Sequence, residues 1–261
     1  MDLKLAGRKA VITGASKGIG FAVARQLAEE GCRVVLVSRD PGRLGAARAA
    51  IRAAVPEAEV AVMAADLARD ETHAPLAEAH GDADILVNNA GAIPQGDLLA
   101  VDQARWREAW DLKVFGFIGV TRAFYARMAA RRAGVIVNII GMGGERLDVN
   151  YLAGAAGNAS LMAFTRALGG ASHRDGVRVV GINPGPIATG RMETRLRAIA
   201  ARRFGDAERW RELTAEMPFG RPGRPEEIAA AAAFLASDLS AWTSGTILTI
   251  DGGLANAPPE R

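Results

Sequence analysis

The chain has 261 residues, 49% hydrophobic and 23% charged, which is enough apolar material for one sizeable α/β core. Its net charge of +3 is too small to imply nucleic acid and fits a binder of small anions equally well. Cys32 is the only cysteine, so no internal disulfide can form. With no signal-peptide pattern and no apolar run near the ~18 residues of a membrane span, a cytoplasmic protein with no membrane partner is expected.

In chain order, the sequence predicts a strand at Lys9–Thr13, a helix near Ile19–Glu30 and a strand at Arg33–Ser38. A helix at Pro41–Ala54, a strand at Val60–Ala64, a helix at Asp70–His80 and a strand at Ile85–Asn88 come next. One long helix is expected over Asp102–Arg131, followed by a strand at Val135–Ile140 and a helix at Leu152–Ala171. The series closes with a strand at Val177–Ile182, a helix at Pro225–Ala236 and a strand at Ile247–Ile250. Most of the strands are continuously apolar, as strands covered on both faces should be. Alternation at this spacing predicts a doubly wound parallel α/β sheet between two helical layers. No linker or internal repeat interrupts it, so residues 1–261 are expected to form one domain. The segment Gly190–Gly220, helical and arginine-rich, interrupts the pattern before the last strand. It reads either as a solvated helix pair or as a lid.

"VITGASKGIGFAVA" follows the first strand and opens the first helix. Gly14, Gly18 and Gly20 let the backbone turn tightly and approach a pyrophosphate at a helix N-terminus. The T-G-x-x-x-G-x-G spacing resembles that of the short-chain dehydrogenase/reductase family. The resemblance runs nearly end to end. It includes "DL" at Asp66–Leu67, "NNAG" at Asn88–Gly91, "NPGPIATG" at Asn183–Gly190, "GRPGRPEEIAAAAAFLASD" and "SGTILTIDGG". It implies a Rossmann-type seven-stranded sheet in the order 3-2-1-4-5-6-7 and a homotetramer or homodimer paired through the two long helices. It also implies a nicotinamide dinucleotide held by Gly14, Ser16, Lys17, Gly18, Ile19, Gly20, Asp66, Leu67, Asn89, Ala90, Gly91, Pro184, Gly185, Ile187 and Thr189. An acidic residue closing the second strand would repel a 2′-phosphate. Here Ser38 and Arg39 stand at that point and Lys17 sits in the glycine turn, so NADP(H) is expected over NAD(H). Asp40, one step on, argues the other way.

The family's chemistry usually rests on a tyrosine, a lysine four residues later, a serine and an asparagine. A phenol needs a nearby cation to work near neutrality. Anchoring on "FTRAL" (Phe164–Leu168) puts Gly154 at the tyrosine position, Asn158 at the lysine position and Gly141 at the serine position. In "WDLKVFGF" the asparagine position holds Lys113. On this register the usual set is absent, and amine and amide have exchanged walls. Lys113, Tyr151 and Asn158 are therefore the candidate catalytic residues, with Tyr151 one turn before Gly154 and able to lean toward the same face.

Tyr151 and Lys113 have structural alternatives. Tyr151 could cap or pack the helix entrance, Lys113 could pair with Glu108 or Asp111, and Gly154 and Gly157 could serve close packing. Glu145, Arg146 and Asp148 stand in the loop before Tyr151, either solvated or supplying acid/base contacts. The three histidines read as surface residues, and no metal-ligand spacing is visible. Lid arginines would suit a carboxylate-, phosphate- or coenzyme A-bearing substrate. The reading as a whole is an NADP(H)-dependent oxidoreductase of a small carbonyl or alcohol. A non-redox lyase or isomerase, or a protein that senses NADP(H), is the alternative on the same fold.

Overall fold

A computed structural model describes residues 2–258. Seven parallel strands form one sheet in the order β3-β2-β1-β4-β5-β6-β7. They are β1 (Lys9–Thr13), β2 (Arg33–Ser38), β3 (Val60–Ala64), β4 (Ile85–Asn88), β5 (Gly134–Ile139), β6 (Val177–Pro184) and β7 (Ile247–Ile250). Helices α1 (Gly18–Glu29), α2 (Pro41–Ala54) and α3 (His73–His80) alternate with the first strands. After β4 come α4 (Gln103–Trp110), α5 (Gly116–Arg131) and α6 (Leu152–Ala171), then α7 (Gly190–Phe204) and α8 (Pro225–Ala236). This is the Rossmann-type doubly wound sheet, with helices on both faces. The strand order turns back between β1 and β4, where such sheets open a crevice at their carboxyl ends.

Side chains of β1, β4, β5 and β6 are buried on both faces, which explains their unbroken apolar runs. The edge strands β3 and β7 are partly exposed. Two apolar clusters lie on opposite sides of the sheet. Ile12, Leu36 and Val87 pack toward α1 and α8, while Val11, Leu86 and Ile136 pack toward α3 and α5. A buried polar chain ties the middle together. The Asn88 amide donates to Thr121 Oγ1 and Asn138 Oδ1, both at 2.9 Å, and the Asn138 amide donates to Thr165 Oγ1 at 2.9 Å. Removing one partner would strand the other in a dry interior.

Two helices differ from the expected ones. Asp102 lies outside α4 as its cap, accepting from the Arg105 amide at 2.8 Å. The expected long helix then passes through a π-helical turn, Asp111–Phe115, between α4 and α5. Such a turn inserts an extra residue into the helical register and recurs at functional sites. Here it buries both Lys113 and Val114 and leaves Phe115 exposed. Before α3, Asp70–Thr72 forms a short 3₁₀ turn. His73 is not a surface residue: it is buried, its Nε2 3.0 Å from the Leu67 carbonyl. No helix among the described residues is long and apolar enough to cross a membrane.

Candidate active site

The turn between β1 and α1 is locked to the end of β4. Thr13 Oγ1 accepts from the amides of Asn89 at 2.9 Å and Ala90 at 3.1 Å, and the Asn89 side chain donates to the Thr13 carbonyl at 3.1 Å. Close approach explains Gly20, where a Cβ would sit 2.4 Å from the Asn89 amide nitrogen and 2.5 Å from the Gly14 carbonyl. Residues Gly14 to Lys17 form the tight turn that leads into α1, and no side chain caps the first turn of α1. Its free amides suit an anion. Thr189 caps α7 by accepting from the Met192 amide at 3.4 Å, and its methyl group lies 3.4 Å from the point where a Cβ on Gly18 would stand. Gly185, whose amide donates to the Ile250 carbonyl at 2.9 Å, and the buried Ile187 hold this loop against the sheet end. Pro184 closes β6.

At the end of β2 the Ser38 hydroxyl is shielded from solvent and has no hydrogen-bond partner. Arg39 and Lys17 are exposed, and neither pairs with a carboxylate among the described residues. Asp40 is otherwise engaged: it caps α2 by accepting from the Arg43 amide at 3.0 Å and pairs with the Arg43 guanidinium at 3.2 Å. Two free cations and an orphaned hydroxyl fit a phosphate better than they fit a bare ribose. Asp66 turns its own loop, accepting from the Ala68 amide at 3.3 Å, and Leu67 is buried.

Lys113 lies beside this frame and is 7% exposed. It pairs with neither Glu108 nor Asp111. Its ammonium donates to the Ile139 carbonyl at 2.8 Å and sits 4.2 Å from the centre of the Phe117 ring. Its stem crosses Gly91, where a Cβ would lie 2.6 Å from Lys113 Cδ. Burial pushes the amine down from its ordinary 10.5 to about 7, and the positive charge of Arg191 adds to that.

Across the crevice Tyr151 precedes α6. Its carbonyl accepts from the Gly154 amide at 3.0 Å and the Ala155 amide at 2.8 Å, so the backbone caps the helix while the side chain does not. The ring folds back over Gly154. A Cβ there would lie 2.0 Å from Tyr151 Cζ, so the phenol fills the space that a side chain at 154 would enter. Asn158 is buried with its Oδ1 unpartnered, and its amide nitrogen lies 3.0 Å from the point where a Cβ on Gly141 would stand. Gly157 serves packing: its own Cβ position is 3.2 Å from Val114 and 3.3 Å from the Trp110 indole nitrogen. That indole donates to the Ala153 carbonyl at 2.9 Å. Burial raises the Tyr151 phenol above its ordinary value, and Arg191 and Arg195 oppose the rise.

Residues 14–255 match the family described as enoyl-(acyl carrier protein) reductase. The chain belongs to the short-chain dehydrogenase/reductase family. It is 37% identical over 252 residues to galactitol 2-dehydrogenase (L-tagatose-forming) of Cereibacter sphaeroides, covering 96% of each chain. Its fold superposes on L-sorbose reductase of Gluconobacter frateurii, solved with NADPH and L-sorbose, with TM-score 0.90 and 30% identity over 99% of this chain and 100% of that one. It is similar too to an NADPH-bound short-chain oxidoreductase of Pseudomonas aeruginosa described as containing an atypical catalytic center. That match has TM-score 0.86 and 33% identity over 96% of this chain and 98% of the other.

Other parts of this family member are occupied by structural work. Glu145 accepts from the Thr249 hydroxyl at 2.8 Å, Arg146 donates to the Leu254 carbonyl at 3.4 Å, and Asp148 accepts from the Asn150 amide at 2.8 Å within its own loop. Three of the seven arginines in residues 190–220 are in ion pairs. Arg197 bonds Glu193 and Glu208, Arg203 bonds Glu216, and Arg209 bonds Glu212. Of the other four, which have no carboxylate partner among the described residues, Arg191 donates to the Gly91 carbonyl, and Arg195 stands one turn further along α7. Sequence reasoning counted both among seven arginines without separating them. Their four-residue spacing just after "NPGPIATG" was the available signal. No group of acidic residues, histidines or cysteines among the described residues is suited to hold a metal.

Proposed function

We propose that this protein is an NADP(H)-dependent oxidoreductase that interconverts a small carbonyl compound and its alcohol with a non-standard acid/base set. The observation that carries the reading is the buried Lys113 amine, set against Gly91 of an otherwise intact cofactor frame and tuned by burial to about 7. A group of that acidity holds and gives up a proton at working pH. When bound, the nicotinamide supplies the hydride. Gly14, Ser16, Gly18, Ile19, Gly20 and Thr189 would hold its pyrophosphate side, Lys17, Ser38 and Arg39 the 2′-phosphate, and Asp66 and Leu67 the adenine. Asn89, Ala90, Gly91, Pro184, Gly185 and Ile187 would shape the rest of the cleft.

In the reductive direction Lys113 gives a proton to the developing alkoxide, and in the oxidative direction it takes one back. Tyr151 and Asn158 polarise and orient the carbonyl by hydrogen bonds, at the places left open by Gly154 and Gly141. The usual tyrosine, lysine, serine and asparagine are thus replaced rather than displaced along the chain. Residues 1–261 act as one domain, with 190–220 closing over the cleft as a lid. The exposed apolar residues Phe115, Phe234, Leu239 and Trp242 suit burial in a homodimer or homotetramer.

The test is transfer of deuterium from labelled NADPH to the alcohol product across a ketone panel. Label in the product supports the reading. Turnover without consumption of the nicotinamide absorbance would replace it with non-redox chemistry, and tight NADPH binding without any turnover would replace it with a sensing role.

A further inference from the structure

A buried side-chain amide is tolerated in a fold when its polar ends are met. Asn138 of β5 meets this condition fully. Its amide donates to Thr165 Oγ1 at 2.9 Å, and its Oδ1 accepts from the Asn88 amide at 2.9 Å. Asn158 does not. It is 3% exposed, and its Oδ1 has no hydrogen-bond partner among the described residues. Alanine or leucine would suit this place on α6 better, both for helix propensity and for burial. The amide therefore costs the fold stability and gains no bond for its oxygen within the chain.

This amide is aimed at a gap. Its nitrogen lies 3.0 Å from the point where a Cβ on Gly141 would stand, and its Oδ1 lies 3.7 Å from the same point. The nitrogen is also 3.3 Å from the Cβ point of Gly143. Donor and acceptor are thus presented side by side to two residues that have no side chains. At Gly141 φ is +138°, a conformation in which a side chain is strained, so the gap is kept open by the backbone itself. Both glycines are only half-buried, whereas Asn158 behind them is buried. They follow β5 at the carboxyl end of the sheet, where the cofactor cleft opens. Tyr151 reaches the same gap, its Cε1 3.2 Å from the Gly143 point.

An edge that offers N–H and C=O together is matched by a ligand with an acceptor and a donor on neighbouring atoms. A bare ketone supplies the acceptor alone and leaves Oδ1 unpaired in a dry place. A carboxylate has no proton to give. A hydroxyl on the carbon next to the carbonyl supplies the missing donor beside the acceptor. Resting on the redox reading above, we infer that the substrate is an α-hydroxy ketone, its carbonyl oxygen accepting from the Asn158 amide and its neighbouring hydroxyl donating to Asn158 Oδ1. In reduction the carbonyl carbon takes the hydride of the nicotinamide and the carbonyl oxygen takes the Lys113 proton. The hydroxyl is unchanged, and the product is a vicinal diol. Asn158 is the residue that selects for the hydroxyl.

The test compares 1-hydroxybutan-2-one with its methyl ether, 1-methoxybutan-2-one, and with pentan-3-one, each offered with NADPH. The ether keeps the oxygen and loses the proton, and pentan-3-one puts a methyl group of similar size in place of the hydroxyl. The hydroxy ketone is expected to exceed both in kcat/KM by ~10-fold or more, the scale of leaving a buried polar group unpaired. N158L removes both ends of the amide, and N158S shortens the side chain without adding bulk. Each should collapse the two ratios toward one. Equal kcat/KM for the hydroxy ketone and its ether in the parent enzyme overturns the inference, and so do ratios that survive in a folded variant. Should neither variant fold, the ratios of the parent decide. Calorimetry with NADPH is run on each variant. If NADPH weakens by the same factor as kcat/KM for the hydroxy ketone, Asn158 serves the cofactor and the inference is wrong. Should no ketone be reduced, the redox reading fails by itself, and the melting temperature of the NADPH-bound protein decides the role of the amide. A rise with the hydroxy ketone but not with its ether, lost in N158S, upholds the hydroxyl site, and no such difference refutes it.

Discussion

Replacing Lys113 by methionine keeps most of the side-chain volume and removes the charge, so it tests the buried amine twice. The first readout is stability against pH. A tenfold change in an acid constant is about 1.4 kcal/mol. Holding the amine at about 7 instead of 10.5 thus costs the folded state on the order of 5 kcal/mol when both states are protonated. Below about pH 7 folded and unfolded chains both carry the proton, and the cost is fully present. Between about 7 and 10.5 the unfolded chain keeps the proton that the folded chain has released, so stability rises with pH. Above that window the cost is gone. Lys113→Met abolishes this slope, but leaves the Ile139 carbonyl without its 2.8 Å donor, a loss of roughly 1–3 kcal/mol at every pH. The variant should therefore be the more stable protein at pH 6 and lose about 3 kcal/mol of that lead between pH 7 and pH 9. Urea denaturation of both proteins across pH 6–9 measures it. Parallel curves, differing by a constant to within about 1 kcal/mol, would refute a neutral-range amine. The second readout is kinetic. For ketone reduction kcat/KM should fall as pH rises through about 7, because the donor loses its proton there. Turnover of Lys113→Met should drop by ~10²-fold or more at pH 6, the scale of a positioned proton donor, with NADPH affinity changed much less.

Arg39→Ala should weaken NADPH by about 1–3 kcal/mol while leaving NADH nearly unaffected; calorimetry with both cofactors checks this, and equal losses would remove the 2′-phosphate assignment. Gly154→Ala forces a methyl group into the Tyr151 ring, whose Cζ lies 2.0 Å from that point. It should cost about 1–3 kcal/mol of stability by overpacking and lower turnover as far as Tyr151→Phe does; a Gly154→Ala enzyme of parental activity would show that the folded-back phenol takes no part. Light scattering at micromolar concentration should report a dimer or tetramer, and a monomer would refute the paired-helix expectation.

The strands were legible because strands buried on both faces must be apolar throughout, as in "VVLVS" at Val34–Ser38, while their order was implied by the family resemblance. The glycine turn was legible for a similar reason. Where backbone must approach backbone, as Gly20 approaches the Gly14 carbonyl, the residue choice is nearly forced, and so it marks the place. The absence of a lysine four residues after Tyr151 was likewise plain from spacing alone. Other features depend on contacts between segments far apart in the chain, and no local pattern encodes those. The π turn that brings Lys113 inward depends on α5 packing against β5, whose Ile139 carbonyl takes the amine. His73 looked like a surface residue until the Leu67 carbonyl enclosed it. The arginines of residues 190–220 looked equivalent until folding paired Arg197, Arg203 and Arg209 with acids and set Arg191 on the Gly91 carbonyl. Local conformation follows from side-chain shape and backbone freedom, which each residue carries with it. The acidity of an amine, the direction of a phenol and the partner of a guanidinium depend on neighbours and exclusion of water, which exist only in the assembled fold.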